Sequence, residues 1–165
     1  MARTRSFAQP NSFAGLDTML DKIQRRLCNI CLSSGALAIS AGGSALAKTA
    51  NAVKVINDGV YQNVAAANMA ALVGTVTNAT FNVFVFSVTA AGTLKSYMGT
   101  GAATRAAVVF PTVADGEVVL GFVEINPTGT GNFVGGTTAL DDATVVPNAV
   151  YVNTPFPFIP GVEAI

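Results

Sequence analysis

The chain has 165 residues, nine basic and nine acidic side chains, and a charged fraction of 11%, against roughly 25% in an average soluble domain. It contains no His and no Trp, which excludes Ser-His-Asp triads and His-ligated metals within one chain. A net charge of zero argues against non-specific nucleic-acid binding, because that binding needs many Lys and Arg contacts with phosphates. So few charges predict a protein that buries surface against copies of itself or against a large partner.

The N-terminal third is predicted to form an arm and one amphipathic helix. Residues 1–13 show no hydrophobic periodicity and are expected to be an extended basic arm, after which Ser12 is placed to cap a helix. Two heptads are too short for a solitary coiled coil, so the helix either lies on a β-domain or packs around an oligomer axis. Apolar residues recur along it at intervals of four and three, at Leu16, Leu20, Ile23, Leu27 and Ile30.

Neither a signal peptide nor a membrane span is predicted. Arg3 and Arg5 are followed by polar residues and a charged helix, whereas a signal peptide has an apolar core at that place. The uncharged run from Leu27 to Ala47 is long enough for a bilayer, but it is rich in Ser and Gly.

After Gly35 the pattern changes to short runs of Val, Ile, Phe and Thr between turns. Asn57-Asp58-Gly59 is a strong hairpin signal, and strands recur about every 8–12 residues, as in a small antiparallel β-sandwich or barrel. We therefore predict a mainly β fold, with an arm and helix at 1–34, a β-domain at 35–154 and an extended Pro-rich tail at 155–165. The predicted strands include Ala52–Ile56, Val60–Tyr61, Phe81–Thr89, Thr93–Met98, Ala106–Phe110, Glu117–Ile125, Asn132–Val134 and Val150–Val152.

The strand Phe81–Thr89 is apolar on both faces. A strand of this kind must be covered on both sides, by a second sheet or by another subunit, since it would otherwise be an aggregation hazard. We predict a subunit interface here, formed by Phe81, Val83, Phe84, Val85 and Phe86.

Cys28 and Cys31 form a C-x-x-C motif without the βαβ context of a redox protein and without further zinc ligands. Because positions three apart share a helix face, both thiols are expected to line the helix seam. Structural thiols are the favoured interpretation, and bridging between chains and redox or metal chemistry stay open.

The other motifs favour turns over binding sites. Gly99-Thr100-Gly101 and Gly129-Thr130-Gly131 lack the third glycine of a nucleotide-binding loop, and Asp141-Asp142 lacks the repeated acidic ligands of a calcium site. Asn78-Ala79-Thr80 matches a glycosylation sequon by pattern only. No acid/base pair emerges from the spacing, so we predict neither an enzyme nor a cofactor, a metal or a small-molecule substrate.

Charge is divided unevenly along the chain. Residues 1–50 hold six bases and two acids, a net charge of +4, and residues 51–165 hold three bases and seven acids, a net charge of −4. A basic first third is able to dock on an acidic protein surface, although so few charges are also compatible with a chance distribution.

The β region resembles the β-domain of capsid decoration (cement) proteins and head-fibre proteins of tailed bacteriophages, over about residues 50–145. The resemblance implies a trimeric, mostly β protein that is fixed to the outside of an icosahedral head and clamps neighbouring capsid subunits. The residues that carry it are Ile56-Asn57-Asp58-Gly59-Val60, Phe84-Val85-Phe86, Ala90-Ala91-Gly92, Pro111, Gly116, Leu120-Gly121-Phe122-Val123, Phe133 and Gly135-Gly136-Thr137-Thr138-Ala139-Leu140.

From this resemblance we expect a virion protein, made in the host cytoplasm, that assembles as a homotrimer on the major capsid protein, without nucleic-acid or membrane partners. A tail or head-fibre appendage involved in host attachment is the alternative, although no internal repeat indicates a long fibre. The charge division and the arm place the capsid anchor in residues 1–34, with contacts from Arg3, Arg5, Phe7, Phe13, Leu16 and Leu20.

Overall fold

The computed structural model describes residues 20, 23 and 27–156. In this part the chain is mainly β, with one turn of 3₁₀ helix at Arg105–Ala107. The strands are β1 (Ile30–Cys31), β2 (Leu37–Ile39), β3 (Ala47–Thr49), β4 (Val53–Asn57), β5 (Val60–Val64), β6 (Thr75–Val76), β7 (Asn82–Thr89), β8 (Leu94–Met98), β9 (Glu117–Ile125), β10 (Phe133–Val134) and β11 (Val150–Asn153).

All strand pairs among the described residues are antiparallel. One sheet has three strands in the order β1-β4-β5, and a second has four strands in the order β11-β9-β7-β8. Two-stranded pairs, β2 with β3 and β6 with β10, lie beside them. The prediction of a mainly β fold is confirmed, and the barrel alternative is wrong, because none of these sheets closes on itself.

The hairpin of β4 and β5 forms at the predicted turn. Asn57 pairs with Val60, and the two residues between them both have positive φ, 47° at Asp58 and 77° at Gly59. This is the geometry of a type I′ turn, which favours Asn, Asp and Gly and matches the twist of the flanking strands.

The hydrophobic core lies between the three-stranded and the four-stranded sheet. Phe84 and Phe86 on β7 are fully buried, as are Val53 and Val55 on β4. Phe133 on β10 closes one side of this core, with its ring edge-on to Phe84 at a centroid distance of 6.0 Å. The two sheets therefore each turn one face to this core, and their opposite faces point away from it.

The opposite face of the four-stranded sheet is covered by the segment 99–111 of the same chain. Phe110 packs edge-on against Phe122 of β9 at a centroid distance of 5.0 Å, and Arg105 pairs with Glu124 at 2.6 Å. Gly99 lies so close that an added Cβ would be 2.9 Å from a methyl carbon of Val83. Both faces of β7 are therefore covered from within one chain.

This internal cover corrects the predicted subunit interface. Val83, Phe84, Val85 and Phe86 are all buried in the single chain, and Phe81 is partly exposed. The two-sided apolar pattern did indicate cover on both faces, but the cover comes from the second sheet and the 99–111 segment.

The predicted amphipathic helix is not seen as an element of the described residues, and its predicted C-terminal end is wrong. Leu20, Ile23, Leu27 and Cys28 are helical, but Ile30, the last residue of the predicted seam, lies in β1 and pairs with Ile56. The rest of the predicted helix lies outside the described residues, and the β structure begins at residue 30 rather than 35.

One predicted strand is absent and four are new, counting β1 in the predicted helix. Residues 106–110 contain part of the 3₁₀ turn and a single β-bridge, between Thr100 and Val109, because this segment crosses the sheet rather than joining it. The short strands β2, β3 and β6 were not predicted, since two or three residues between turn-forming residues give no periodic signal.

Candidate functional site

The two ends of the described chain leave the β structure side by side at β1. The main-chain N–H of Phe156 donates to the carbonyl of Cys31 at 2.8 Å, on the side of β1 that faces away from β4. One residue beyond β1, the N–H of Leu32 donates to the carbonyl of Lys54 at 2.8 Å. The segments that precede residue 27 and follow residue 156 therefore both start next to β1.

Side-chain hydrogen bonds hold this short strand in position. Asn29 accepts a hydrogen bond from the N–H of Asp58 at 2.9 Å, and Ser33 accepts one from the N–H of Lys54 at 2.9 Å. These side chains accept hydrogen bonds from main-chain N–H groups on the β4 side, one at each end of β1. They add to the few main-chain bonds that a strand of only two residues can make. The strand is thus fixed at both ends against β4.

Large apolar side chains around β1 are exposed. The exposed fraction is 65% for Leu27, 48% for Leu32 and 75% for Phe156. We call these three residues the terminal patch. Phe156 also has φ of 98°, a backbone conformation that is a real outlier for a bulky residue, so a strained and exposed aromatic side chain stands where the tail leaves the domain.

The residues predicted to anchor the chain lie mostly outside the described part. Arg3, Arg5, Phe7, Phe13 and Leu16 are in this group. Leu20 is described, is helical and is 52% exposed. Its seam neighbours Ile23 and Leu27 are exposed as well, so these three positions of the predicted seam do not pack on the β-domain.

Cys28 and Cys31 have different environments. Cys28 is helical and half-buried, whereas Cys31 lies in β1 and is buried in the core, with its thiol directed to the carbonyl of Ser33. Burial raises the pKa of the Cys31 thiol, which disfavours the reactive thiolate. The expectation that both thiols line one helix face is wrong, because the helix ends before Cys31; both cysteines are free thiols.

A polar cluster around Glu117 links the strands β7, β8 and β9 of the four-stranded sheet. The carboxylate of Glu117 accepts hydrogen bonds from the hydroxyl of Ser87 and, at 2.8 Å, from that of Tyr97, and Lys95 lies 3.5 Å away. Burial, the hydrogen bond to Glu117 and its negative charge raise the pKa of Tyr97 to about 12. Ser87 is fully buried and the side chain of Glu117 is 5% exposed, so these bonds hold the carboxylate inside the sheet.

The acidic pair Asp141-Asp142 organises two loops, as the turn interpretation expects. Asp141 accepts hydrogen bonds from the N–H of Gly43 at 3.0 and 3.1 Å, and Asp142 accepts them from the N–H and the hydroxyl of Thr144. The bonds from Thr144 lower the pKa of Asp142. Within residues 27–156, together with 20 and 23, no three Cys, Asp or Glu side chains are grouped so as to hold a metal ion.

Comparison with protein-family models, with curated proteins and with solved structures returned no match. Among the described residues, no helix has the length and apolarity of a bilayer span. The function is therefore argued from the geometry of the surface.

Sequence reasoning missed two members of the terminal patch. Leu32 lies outside the 4-3 heptad spacing, and Phe156 lies in a Pro-rich tail that was predicted only to be extended. The signal for both was weak, namely a single large apolar residue among Ser, Thr, Gly and Pro. Their exposure becomes visible only when the tail is placed beside β1.

Proposed function

We propose that this protein is a structural component of a bacteriophage virion, a decoration or cement protein that binds the outer surface of the head as a homotrimer. In this role it stabilises contacts between major capsid subunits, and its two facing sheets form the β-sandwich typical of such a module. The observation that carries the proposal is the joint exit of both terminal segments at β1, within an exposed apolar patch.

A single exit point favours a protein attached at one end. Residues 1–26 and 157–165 amount to a fifth of the chain. Both segments begin near β1, the first just before Cys28, whose carbonyl accepts a hydrogen bond from the N–H of Gly59, and the second just after Phe156, which bonds to Cys31. Segments that start together can spread over a neighbouring protein while the β-domain stays outside. Ordering such segments on a partner costs conformational entropy, which the apolar contacts of the interface must offset.

Apolar burial supplies most of the expected affinity. Leu32 and Phe156 of the terminal patch are exposed, and each buried side chain of this size contributes about 1.5–3 kcal/mol. Arg3 and Arg5 pair with acidic groups of the capsid, but exposed pairs contribute only about 0–1 kcal/mol each. Attachment should therefore depend strongly on apolar side chains and weakly on salt.

The trimer is supported by the exposed helical residues. Leu20, Ile23 and Leu27 have heptad spacing and are all about half exposed or more. A narrow heptad seam packs into the grooves between side chains on another helix. Apart from the helical residues already named, the described part of the chain contains only the 3₁₀ turn at Arg105–Ala107, so a second helix from the same chain is not seen there. Helices from three copies around one axis provide such partners.

Co-sedimentation with heads that lack the native protein tests the attachment. The full chain should sediment with the heads, and deletion of residues 1–14 should weaken binding strongly. Leu32→Asp and Phe156→Asp should weaken it also, because each places a charge in the terminal patch. Val73→Asp is the matched control, since Val73 is exposed and lies in another part of the fold.

Equal binding by the truncated and the full chain would contradict anchoring through the N-terminal segment. Imaging of labelled protein on complete particles separates the two virion roles. Label flat on the head surface supports decoration, whereas label on the tail or on fibres that project from the head supports an appendage.

A further inference from the structure

Strand β5 has one unpaired edge. The Asp58-Gly59 turn makes Asn57 and Val60 a hydrogen-bonded pair, and pairs alternate along the ladder in antiparallel sheets. The main-chain groups of Val60, Gln62 and Val64 therefore face β4, and those of Tyr61 and Asn63 face outward. No main-chain group among the described residues bonds to this outer edge.

The other outer edges of the two large sheets are protected by cover or by charge. Phe156 bonds to the edge of β1, β11 lies beside β2 with its Asn153 accepting a hydrogen bond from the N–H of Leu37, and β8 carries Lys95. Natural proteins protect exposed edges by charge, proline, bulges or cover. The β5 sequence, Val-Tyr-Gln-Asn-Val, has no charge and no proline, and its register with β4 is unbroken.

A groove of about 450 Å³ runs along this edge. Its walls are residues 62–65 of the β5 segment and residues 90–92 of the β7–β8 turn. Three of the wall residues, Ala90, Ala91 and Gly92, have side chains of one carbon atom or none, so they leave space for another main chain close to β5. The groove has the place and the lining that an added strand needs.

The centre of β5 carries an unsatisfied amide. The side-chain nitrogen of Gln62 donates a hydrogen bond to the carbonyl of Ala90, whereas its side-chain oxygen is buried and accepts none. A glutamine amide has two N–H donors, so this side chain combines a spare donor with an unused acceptor. Buried polar atoms without partners are uncommon in folded proteins, so the Gln62 amide is only partly satisfied within the single chain.

We propose that β5 pairs antiparallel with β5 of a second copy of this chain, about a twofold axis at Gln62. In this register Tyr61 lies opposite Asn63 of the second copy, and each of the two equivalent pairs exchanges two main-chain hydrogen bonds. The Gln62 side chains of the two copies then lie next to each other at the axis.

The β5 sequence is complementary to itself in this register. Val60 lies opposite Val64 of the second copy, and no like charges meet. Val60 and Tyr61, which are 60% and 56% exposed in the single chain, become covered. The result is one continuous six-stranded sheet, β1-β4-β5-β5-β4-β1. This twofold contact uses none of the residues of the proposed capsid anchor, so either proposal can fail without the other.

A cross-linking experiment tests the register. Facing residues of a non-hydrogen-bonded pair have Cα atoms about 4.5 Å apart, within the range of a disulfide. Gln62→Cys should therefore give a disulfide-linked dimer under mild oxidation. Asn63→Cys is the matched control, because it lies opposite Tyr61 and its own counterpart is roughly 8–9 Å away by strand geometry, too far for a disulfide.

Both variants are made in a chain that carries Cys28→Ser and Cys31→Ala, and again in the chain that keeps its native thiols. Dimer on a denaturing gel with Gln62→Cys and not with Asn63→Cys supports the proposal. Absence of dimer with Gln62→Cys, or equal dimer with both variants, would overturn it.

Sedimentation velocity over a range of concentrations gives a second test without new cysteines. Tyr61→Lys places a charge on each side of the contact and should weaken the twofold association on the order of tenfold or more. Val73→Lys, the same kind of change at another exposed position, should leave it unchanged. Equal association of both variants and the parent chain would contradict the β5 contact.

Discussion

The four-stranded and the three-stranded sheet are covered to different extents. The central strand of the four-stranded sheet, β7, is buried along nearly its whole length, with the core on one side and the segment 99–111 on the other. The three-stranded sheet contributes only one face to the core. On its outer face Ile56 is half-buried and Tyr61 is exposed, and the outer edge of β5 has no described neighbour.

This difference separates stability from interaction. Residues of the four-stranded sheet already make their contacts within the chain, so their substitution should act mainly on folding. Exposed residues of the three-stranded sheet and the adjoining terminal patch make few such contacts, so their substitution should act mainly on association. Four predictions test this division, in order of decreasing effect.

The largest effect is expected at Phe84. Phe84→Ala should reduce the free energy of unfolding by about 3–5 kcal/mol, because it empties a fully buried position next to Phe133. Tyr61→Ala is the aromatic control on the other sheet and should cost less than about 1 kcal/mol. Urea unfolding at low protein concentration measures both. Similar losses of unfolding free energy in the two variants would contradict the division of roles between the sheets.

The ion pair on the outer face of the four-stranded sheet should have a smaller effect. Arg105→Ala leaves the largely buried carboxylate of Glu124 without its partner and should cost about 1–3 kcal/mol. Lys54→Ala, at an exposed position on β4, should stay within about 0.5 kcal/mol.

The double variant Arg105→Ala with Glu124→Gln separates charge from packing. If the single loss comes from an unpaired charge, the neutral amide should recover part of it, which a double-mutant cycle reveals. A double variant as unstable as the sum of its two single variants would show that the pair does not interact.

The sequence predicted the fold better where the signal was local. Glu117–Ile125 was predicted with its observed bounds and Phe81–Thr89 within one residue, because both are long apolar runs between turn residues. The Asp58-Gly59 hairpin followed from its type I′ chemistry. The strand predicted at 106–110 is absent because the Val and Phe side chains of this segment pack on the face of a sheet. Composition alone does not distinguish such a covering segment from a strand that pairs within a sheet.

The candidate surfaces were harder to predict, since they depend on long-range contacts. The cover of Val83 and Val85 comes from residues 99–111, and no periodicity within β7 identifies which segment provides it. The exposure of Phe156 depends on its bond to Cys31, more than a hundred residues earlier in the chain. The free edge of β5 likewise follows from strand order rather than from its five residues.

The two cysteines test the boundary between core and surface at β1. Cys31→Ala should cost about 1–2 kcal/mol, since the thiol is buried in the core, and Cys28→Ala should stay within about 0.5 kcal/mol. A thiol reagent should also modify Cys28 faster, as burial raises the pKa of Cys31. Equal reactivity of both thiols in the folded protein would place Cys31 at the surface and contradict the core assignment.

The smallest effects are expected at two tyrosines of the four-stranded sheet. Tyr97→Phe removes the hydrogen bond to Glu117 and should cost about 0.5–1.5 kcal/mol at neutral pH. Tyr151→Phe removes a buried hydroxyl that has no hydrogen-bond partner and should be neutral or stabilising. The two substitutions delete the same atom, so unfolding at pH 7 compares a bonded with an unbonded hydroxyl; an equal cost for both would contradict the assigned contacts.

The same two tyrosines should make the free energy of unfolding depend on pH in the alkaline range. Burial raises the pKa of each to about 12, with the hydrogen bond and charge of Glu117 adding to it at Tyr97 and the charge of Asp141 at Tyr151. In the unfolded chain a tyrosine ionises near pH 10. Between about pH 10 and 12 the unfolded state therefore binds fewer protons than the folded state, and the free energy of unfolding falls as the pH rises. Each Phe substitution should make this fall shallower, measured by urea unfolding at several pH values. An unchanged slope in Tyr97→Phe would show that its hydroxyl ionises equally in both states.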